Sequence, residues 1–259
     1  MPCERLYCLT VGYEFVPRNW TLEGETDESP IRLPLTSLLV RTDDRWFLFD
    51  TGLGPEFHDV EFSRRWYQWG DPELPGDDPD PLLDQLRLCG VSIDEIDALV
   101  VSHLHVDHTG GIRYFADGRP VYIQGAELDF GLSPAAEPAQ YLPHYDNPKL
   151  AWQRLDGDAE IAPGIRALFT PGHAPGHMSF LIELEESGTL LFPFDAIPMM
   201  ENAERNAPIV VGSIPEQQPL IRESQERLLE LARTENARLL PGHCPRTWPA
   251  LGGTPVELR

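Results

Sequence analysis

Residues 102–111, which read SHLHVDHTGG, constrain this chain more than any other segment. They follow an apolar run at 98–101 and hold four potential metal ligands: His103, His105, Asp107 and His108. In an extended or tightly turning segment the first two point to the same side, and the last two can turn toward a second position about 3.5 Å away. Imidazole and carboxylate suit zinc and similar divalent ions. The segment therefore predicts a site for two metal ions at the end of a strand.

Three further candidate ligands stand in the same context, each just after an apolar run. They are His173, Asp195 and His243. A glycine precedes each of these two histidines and lets the backbone turn tightly against the site. Because loops at strand ends present side chains from a rigid scaffold, we expect these three residues to join the first four.

The rest of the chain alternates between strand and helix signals. The segment 36–49 predicts a β-hairpin, Asp80-Pro81 begins a helix with an N-cap and an N1 proline, and 217–235 is an amphipathic helix. Further strands are predicted at 98–102, 120–123, 165–169, 179–184, 189–194 and 237–240. Strands in both halves and the absence of a linker predict two β-sheets flanked by helices, in one domain spanning residues 1–259.

Charge and composition exclude several partners. The chain has 42 acidic and 20 basic residues, a formal net charge of −22, which argues against nucleic acid or an anionic membrane because those partners bind basic surfaces. No apolar run is long enough to span a bilayer. The first residues lack the features of a secretory signal and the four cysteines lack CxxC spacing, so we expect a cytoplasmic protein without a disulfide framework.

The ligand motif and the spaced residues after it, together with the FDTG segment at 49–52, resemble the metallo-β-lactamase superfamily over nearly the whole chain. The resemblance implies an α/β (α+β) fold, a four-layer αββα sandwich with a dinuclear site between the sheet edges. It implies that two trios hold the two ions: His103, His105 and His173, and Asp107, His108 and His243. Asp195 would bridge the ions, and Asp50 would orient a ligand histidine.

The chemistry implied is hydrolysis. Two divalent ions sharing a water lower its pKa enough to supply hydroxide at neutral pH, which attacks an electrophilic carbonyl. Asp107, beside this nucleophile, is placed to shuttle a proton to the leaving alkoxide. Zinc is the expected ion, with iron, manganese and cobalt as alternatives because such sites accept several metals.

Within the superfamily, the stretch PGHAPGHMS at 171–179 resembles both N-acyl-homoserine lactonases and glyoxalase II. Only 16 residues follow His243, too few for the substrate-binding domain of glyoxalase II, so a lactonase acting on a small neutral cyclic ester is the leading interpretation. A thioester or other ester hydrolase is the alternative, and a non-catalytic metal-binding relative is a third hypothesis. The lactonase resemblance also suggests a homodimer.

The expected substrate pocket departs from the lactonases at one position. Those enzymes usually carry a tyrosine three residues after the bridging aspartate, where this chain has Pro198. Tyr141 or Tyr145, from the loop at 131–148, is a candidate replacement, and Ile197, Pro198 and Met199 are candidates for an apolar pocket wall.

Two other features call for an interpretation. His177 lies four residues after His173, and we expect it to be a structural histidine bonded beneath the ligand loop. Four aromatic residues are expected to form either a cap over an acyl chain or a subunit interface: Trp20, Trp66, Tyr67 and Trp69. His58 and His144 are expected on the solvated surface.

Overall fold

The computed structural model describes residues 2–136, 139–210, 217–252 and 254–259. Its strands form one seven-stranded and one five-stranded sheet, with strand orders β12-β1-β2-β3-β4-β5-β6 and β11-β10-β9-β8-β7. The strands of the first sheet are β1 (Arg5–Pro17), β2 (Pro30–Thr42), β3 (Arg45–Phe49), β4 (Ala98–Val100), β5 (Pro120–Gln124), β6 (Ala151–Leu155) and β12 (Val256–Leu258). Those of the second sheet are β7 (Ala159–Ala162), β8 (Ile165–Phe169), β9 (Met178–Leu184), β10 (Gly188–Phe192) and β11 (Arg238–Leu239).

Helices connect and cover these strands. The α-helices are α1 (Arg18–Thr21), α2 (Val60–Ser63), α3 (Pro81–Leu88), α4 (Val106–Thr109), α5 (Gly125–Gly131), α6 (Met200–Arg205), α7 (Gln218–Thr234) and α8 (Thr247–Ala250). Single turns of 3₁₀-helix occur at Pro55–His58, Ile93–Glu95, Ile112–Phe115, Leu142–His144 and Phe194–Ala196. Among the described residues, no helix has the length and apolar character needed to cross a bilayer.

The side-chain alternation of the strands explains why the sheets stack. In β3, Phe47 and Phe49 face the second sheet, whereas Leu48 between them belongs to a separate core cluster shared with α3. Alternate residues of a strand point to opposite faces, so a strand that is apolar at every position must be covered on both sides. Phe49 meets Phe180 of the second sheet with ring centroids 4.8 Å apart.

The second sheet repeats the arrangement. Phe180 and Ile182 of β9 pack into the core between the sheets, while Leu181 points outward and packs with Leu228 of α7. The layers are therefore helix, sheet, sheet and helix. This confirms the predicted αββα sandwich.

Local signals in the sequence account for several boundaries. Asp43 and Asp44 adopt positive φ values of 53° and 58° in the two-residue turn of the β2–β3 hairpin, a conformation that aspartate tolerates better than most residues. The side chain of Asp80 accepts a hydrogen bond from the N–H of Leu82 and caps α3. The predicted hairpin, this helix and α7 are all present.

Strand direction brings the candidate ligands together. Strands β3 and β4 are parallel, so their carboxyl ends meet at one edge of the first sheet. In the second sheet β10 is parallel to β11, and β8 runs in the same direction because both β8 and β10 are antiparallel to β9. The residues that follow five strands therefore converge at one end of the sandwich.

Candidate metal centre

The first cluster of ligand atoms unites two segments distant in sequence. His103 and His105 follow β4, and His173 follows β8; their ring nitrogens lie within 4.8 Å of one another and all three residues are buried. His173 Nε2 is 3.0 Å from His105 Nδ1. Three converging imidazole nitrogens are a donor set that zinc and related ions prefer.

The second cluster has a carboxylate as its third member. Asp107 and His108 lie in α4, directly after His105, and His243 follows β11. Asp107 Oδ2 is 3.1 Å from His108 Nε2 and 3.7 Å from His243 Nε2. The short helix thus brings these two side chains to a second group of possible metal ligands.

Asp195 lies between the two clusters. Its Oδ1 is 3.0 Å from His243 Nε2 and 3.5 Å from His108 Nε2, and its Oδ2 is 3.2 Å from His173 Nε2. One carboxylate oxygen therefore faces each cluster, which is the arrangement a bridging ligand requires. These seven residues are called the His/Asp centre below: His103, His105, Asp107, His108, His173, Asp195 and His243.

Three of the histidines are oriented by a bond on the ring nitrogen that faces away from the centre. His103 Nδ1 is 3.0 Å from Ser102 Oγ, His108 Nδ1 is 2.7 Å from Asp50 Oδ2, and His243 Nδ1 is 2.9 Å from the carbonyl oxygen of Pro34. Such outer contacts fix the ring and its tautomer in metal sites.

Within the described residues, His103 Nε2 is buried without a hydrogen-bond partner. An unsatisfied buried nitrogen is costly, and it fits a position that a metal ion fills.

The charges of the centre shift its pKa values in opposite directions. Burial, helped by the neighbouring histidines, lowers the pKa of His103 well below its usual range. His108 is buried too, but the charges of Asp107, Asp195 and Asp50 outweigh burial and raise its pKa well above the usual range. In the same way the carboxylates raise the pKa of His243 to about 10. The carboxylate side of the centre therefore attracts positive charge strongly.

Asp50 holds the first ligand loop in place. Its carboxylate accepts hydrogen bonds from the N–H of Ser102 (2.7 Å) and the hydroxyl of Ser102 (2.6 Å) besides contacting His108. Its backbone has a positive φ of 53°, and burial raises the pKa of its carboxyl. The structure thus places Asp50 where it can orient a ligand histidine.

His177 acts on Asp195 rather than on the cavity. Its Nδ1 lies 2.9 Å from the hydroxyl of Thr170, and its Nε2 accepts a hydrogen bond from the backbone N–H of Asp195 (3.2 Å). It is fully buried beneath the ligand loop. One of its nitrogens also lies within 4.8 Å of ligand atoms of His103 and Asp195, but both of its ring nitrogens have protein partners.

Glu127 is not marked by any motif in the sequence. It lies in α5 and is fully buried, and its carboxylate accepts hydrogen bonds from the backbone N–H of Leu104 and of Gly176, both at 2.9 Å. Leu104 separates His103 from His105, and Gly176 belongs to the loop of His173. One carboxylate therefore ties together the ligand loops of both sheets.

A cavity of about 280 Å³ opens above the centre. Its lower part is formed by members of the His/Asp centre, with Asp107 and Asp195 among them. Four aromatic side chains, called the aromatic wall below, form much of its side: Trp20, Trp66, Tyr67 and Trp69. Apolar residues complete it: Val16, Leu33, Val106, Pro198 and Ile209.

The comparisons with known proteins agree with this geometry. The family model described as the metallo-beta-lactamase superfamily matches residues 31–243, most of the chain. The chain belongs to the metallo-β-lactamase superfamily.

Individual relatives that the chain resembles belong to one group within the superfamily, the N-acyl homoserine lactonases. The chain is 31% identical to an N-acyl homoserine lactonase from Bacillus cereus over 94% of both chains, and 30% identical to the lactonase AiiA from Bacillus thuringiensis subsp. kurstaki over the same share of each. Among solved structures, it resembles an N-acyl homoserine lactone hydrolase with N-hexanoyl-L-homoserine bound at its catalytic metal centre, with a TM-score of 0.87, 26% identity and full coverage of both chains. These relatives favour the lactonase interpretation over the thioesterase alternative.

Four of the five residues that the sequence predicts for the substrate pocket do not line the cavity. Pro198 lines the cavity as predicted. Ile197 is instead buried against α7, and Met199 packs into a small core cluster near β2. Both follow Asp195 closely in the sequence, but their side chains pack into the core rather than into the cavity.

The two candidate tyrosines also lie elsewhere. Tyr145 is buried in the core and donates its hydroxyl to the carbonyl of Gly131. Tyr141 packs edge-on against Phe62 and Trp66, behind the cavity lining. Neither side chain is among those that line the cavity, so neither replaces the tyrosine absent at position 198 of this superfamily member.

His144 corrects a second expectation. It is buried, with Nδ1 2.7 Å from the hydroxyl of Thr109 and Nε2 bonded to the carboxylate of Glu56. This bond links two loops beside the centre, which explains why a histidine in a polar loop is not solvated. His58 is exposed, as expected.

Two charged residues of the cavity were missed by sequence reasoning. Glu14 projects from β1, where burial raises the pKa of its carboxyl to about 7. Arg65 lies on the segment that carries the aromatic wall and stacks 5.8 Å from the ring centroid of Phe62. No motif marks either residue, because each acquires its role only when distant segments pack together.

Proposed function

We propose that this protein is a metal-dependent hydrolase that opens the lactone ring of N-acyl homoserine lactones. One observation carries the proposal: the seven side chains of the His/Asp centre converge beneath an apolar cavity, with one oxygen of Asp195 directed at each of two ligand clusters. The lactonase relatives, which cover 94% of the chain, give the substrate class.

Two divalent ions bound by the centre would supply a hydroxide at neutral pH and stabilise negative charge on the carbonyl oxygen. His103, His105 and His173 would hold one ion. Asp107, His108 and His243 would hold the other, with Asp195 between them. The bonds from Ser102, Asp50 and the Pro34 carbonyl keep three of these rings in position while substrate enters and product leaves.

Asp107 is the proposed proton carrier. It lines the cavity, and its side chain retains 12% exposure, more than that of its neighbours His108 and Asp195. Opening a lactone converts the ring oxygen into an alkoxide that must gain a proton. A carboxyl at the boundary between the centre and the cavity can hold that proton and pass it to the leaving oxygen.

The cavity lining is suited to the acyl chain, the part of the substrate away from the lactone ring. The aromatic wall and its apolar neighbours favour an acyl chain over a charged group because burying apolar surface is favourable. A net charge of −22 further disfavours anionic substrates. A neutral lactone carrying an acyl chain meets both conditions.

The test is a substrate screen on metal-loaded protein of known metal content. Using a pH indicator, hydrolysis is followed with N-acyl homoserine lactones, simple lactones, thioesters, phosphodiesters and a β-lactam. We expect the highest kcat/KM with an N-acyl homoserine lactone and loss of that activity after chelation. Turnover of thioesters with no lactone hydrolysed would overturn the proposal.

The ion itself is proposed to be zinc, on the grounds that five imidazoles and two carboxylates form the centre. Metal analysis by mass spectrometry, after expression in medium containing zinc, iron, manganese and cobalt, tests this, and about two zinc ions per chain is the expected result. The single domain, the homodimer and the cytoplasmic location stay predictions. Light scattering on the purified protein tests the dimer.

A further inference from the structure

Glu14 is an acidic side chain in the cavity that does not belong to the His/Asp centre. It lies on β1, opposite Leu33 of β2 and two residues before Val16, and both of these neighbours line the cavity with apolar side chains. Its carboxyl therefore projects from an apolar surface beside the aromatic wall. A carboxyl in that setting is costly unless something donates a hydrogen bond to it.

Tyr67 lines the same cavity as Glu14, and its phenol is the protein's candidate donor to the Glu14 carboxyl. Tyr67 lowers the pKa of this carboxyl against the rise that burial causes, and Glu14 raises the pKa of the Tyr67 phenol. No arginine or lysine of the described residues forms an ion pair with Glu14. A carboxylate accepts about four hydrogen bonds, so accepting capacity is left on the cavity side.

Glu14 also lies close to the reacting end of the cavity. It lines the same cavity as Asp107, Asp195 and His243, and its charge contributes to the raised pKa of His243. A group bonded to Glu14 would therefore sit near the carbonyl carbon that is attacked, rather than at the far end of an acyl chain.

The cavity's charge balance indicates a neutral donor. Outside the His/Asp centre the charged side chains of the lining are Glu14 and Arg65, one of each sign. A cationic amine would gain from Glu14 but lose near Arg65, whereas an amide is neutral and donates through a single N–H of fixed direction.

Resting on the proposed function, we propose that Glu14, oriented by Tyr67, is a specificity-determining residue that accepts a hydrogen bond from an amide N–H adjacent to the lactone carbonyl. Glu14 would then distinguish acylamino lactones from lactones that carry the same chain through another atom.

The test compares three probes that differ at this N–H. These are N-hexanoyl homoserine lactone, the lactone in which oxygen replaces the N–H, and the N-methyl amide. Because a hydrogen bond to a charged acceptor is lost in the second and third probes, we expect wild-type kcat/KM to favour the first by about 10-fold or more. The readout is this preference, a ratio that a general change in enzyme activity does not move.

Variants at the two residues sharpen the assignment. Glu14→Leu should reduce the preference to near unity, and Glu14→Gln should keep part of it because the amide oxygen still accepts. Tyr67→Phe should reduce it by about 3-fold, since Glu14 keeps its carboxylate but loses its orientation. Glu230→Gln, at an exposed carboxylate of α7, is the matched control and should retain the full preference.

Binding gives a second measurement that does not depend on turnover. Three of the residues in the aromatic wall are tryptophans, so their fluorescence reports occupancy of the cavity. The ring-opened product with the N–H should bind more tightly than its oxygen analogue to the wild type, and equally to Glu14→Leu.

Equal rates of the wild type on all three probes, or an unchanged preference in Glu14→Leu, would overturn the assignment. If Glu14→Leu does not fold, the wild-type ratio and Glu14→Gln decide the question. Failure of the proposed function looks different, because then the wild type hydrolyses none of the three lactones.

Discussion

The His/Asp centre and the aromatic wall enclose the same cavity but are built in opposite ways. The centre uses residues that follow strands of both sheets, and hydrogen bonds fix its rings from behind. The wall uses α1 and the segment around residue 67, and its side chains meet mainly through ring edges, as Trp20 and Trp69 do at 4.3 Å between centroids. The centre is thus held in place by directed hydrogen bonds and the wall by apolar contacts between rings.

The largest expected effect comes from removing the residue between the two ligand clusters. Asp195→Ala should lower kcat/KM for an N-acyl homoserine lactone by about 10³-fold or more, because both metal ions would lose a ligand and the attacking hydroxide would lose its position. Metal analysis should show less than the wild-type content. Asp129→Ala, at an exposed carboxylate paired with Arg154, should change neither quantity. Wild-type metal content together with wild-type activity in Asp195→Ala would refute the ligand assignment.

A smaller loss should follow from a change behind the centre. Asp50→Asn keeps the shape of the side chain but weakens its contacts to Ser102 and His108, and outer-contact mutations of this kind cost about 10- to 100-fold in metal affinity. Competition with a chromogenic chelator measures the affinity. Asp44→Asn is the control because it has the same positive φ in an exposed turn. Equal affinities in the two variants would contradict the role given to Asp50.

Glu127→Gln should lower the stability of the folded protein. The amide presents an N–H₂ group to one of the two backbone N–H groups that the carboxylate now serves. We expect the free energy of unfolding of the metal-free protein to fall by about 2 kcal/mol, measured by urea denaturation. Glu226→Gln, exposed on α7, should be neutral. An unchanged unfolding midpoint in Glu127→Gln would show that the loops do not depend on this carboxylate.

The mildest effect is expected in the aromatic wall. Trp69, with 37% exposure, covers the cavity from one side, so Trp69→Ala should raise KM for a decanoyl homoserine lactone by about 10-fold with little change for a butanoyl one. Metal content should be that of the wild type. Leu88→Ala, which removes another exposed apolar side chain, serves as the control. A lower metal content in Trp69→Ala would mean that wall and centre are not independent.

The same contrast explains how much the sequence could predict. Ligands such as His103 and Asp195 follow apolar strands, and that local order of residue types is visible in a single sequence. The strand and helix pattern predicts two sheets flanked by helices, and the four-layer order of the sandwich is what the resemblance to the superfamily implies. The positions of α3 and the β2–β3 hairpin followed from an N-cap and a turn.

The four aromatic residues of the wall could be named from the sequence, as a cap or a subunit interface, but the charged residue beside them, Glu14, could not. Glu14 and Tyr67 line one cavity only because β1 and the segment after α2 pack together in the folded chain. Neither segment has a periodic pattern that predicts this packing. Ile197 is buried in the core rather than in the cavity lining. Its position near Asp195 in the sequence does not determine which side of the chain faces the cavity. The role of Glu127 could not be predicted, because it accepts hydrogen bonds from backbone N–H groups and these are present in every sequence.

The anchoring of the ligand rings has a consequence for how metal exchange would proceed. Ser102, Asp50, the Pro34 carbonyl and Glu127 hold side chains and loops through protein contacts alone. The three anchored rings therefore lose their rotamer entropy when the chain folds, not when an ion arrives. An incoming cation meets a preorganised cage, so the ion that occupies it is set largely by supply and by intrinsic preference for nitrogen and oxygen donors. One folded chain could then carry different metals in different growth conditions without refolding.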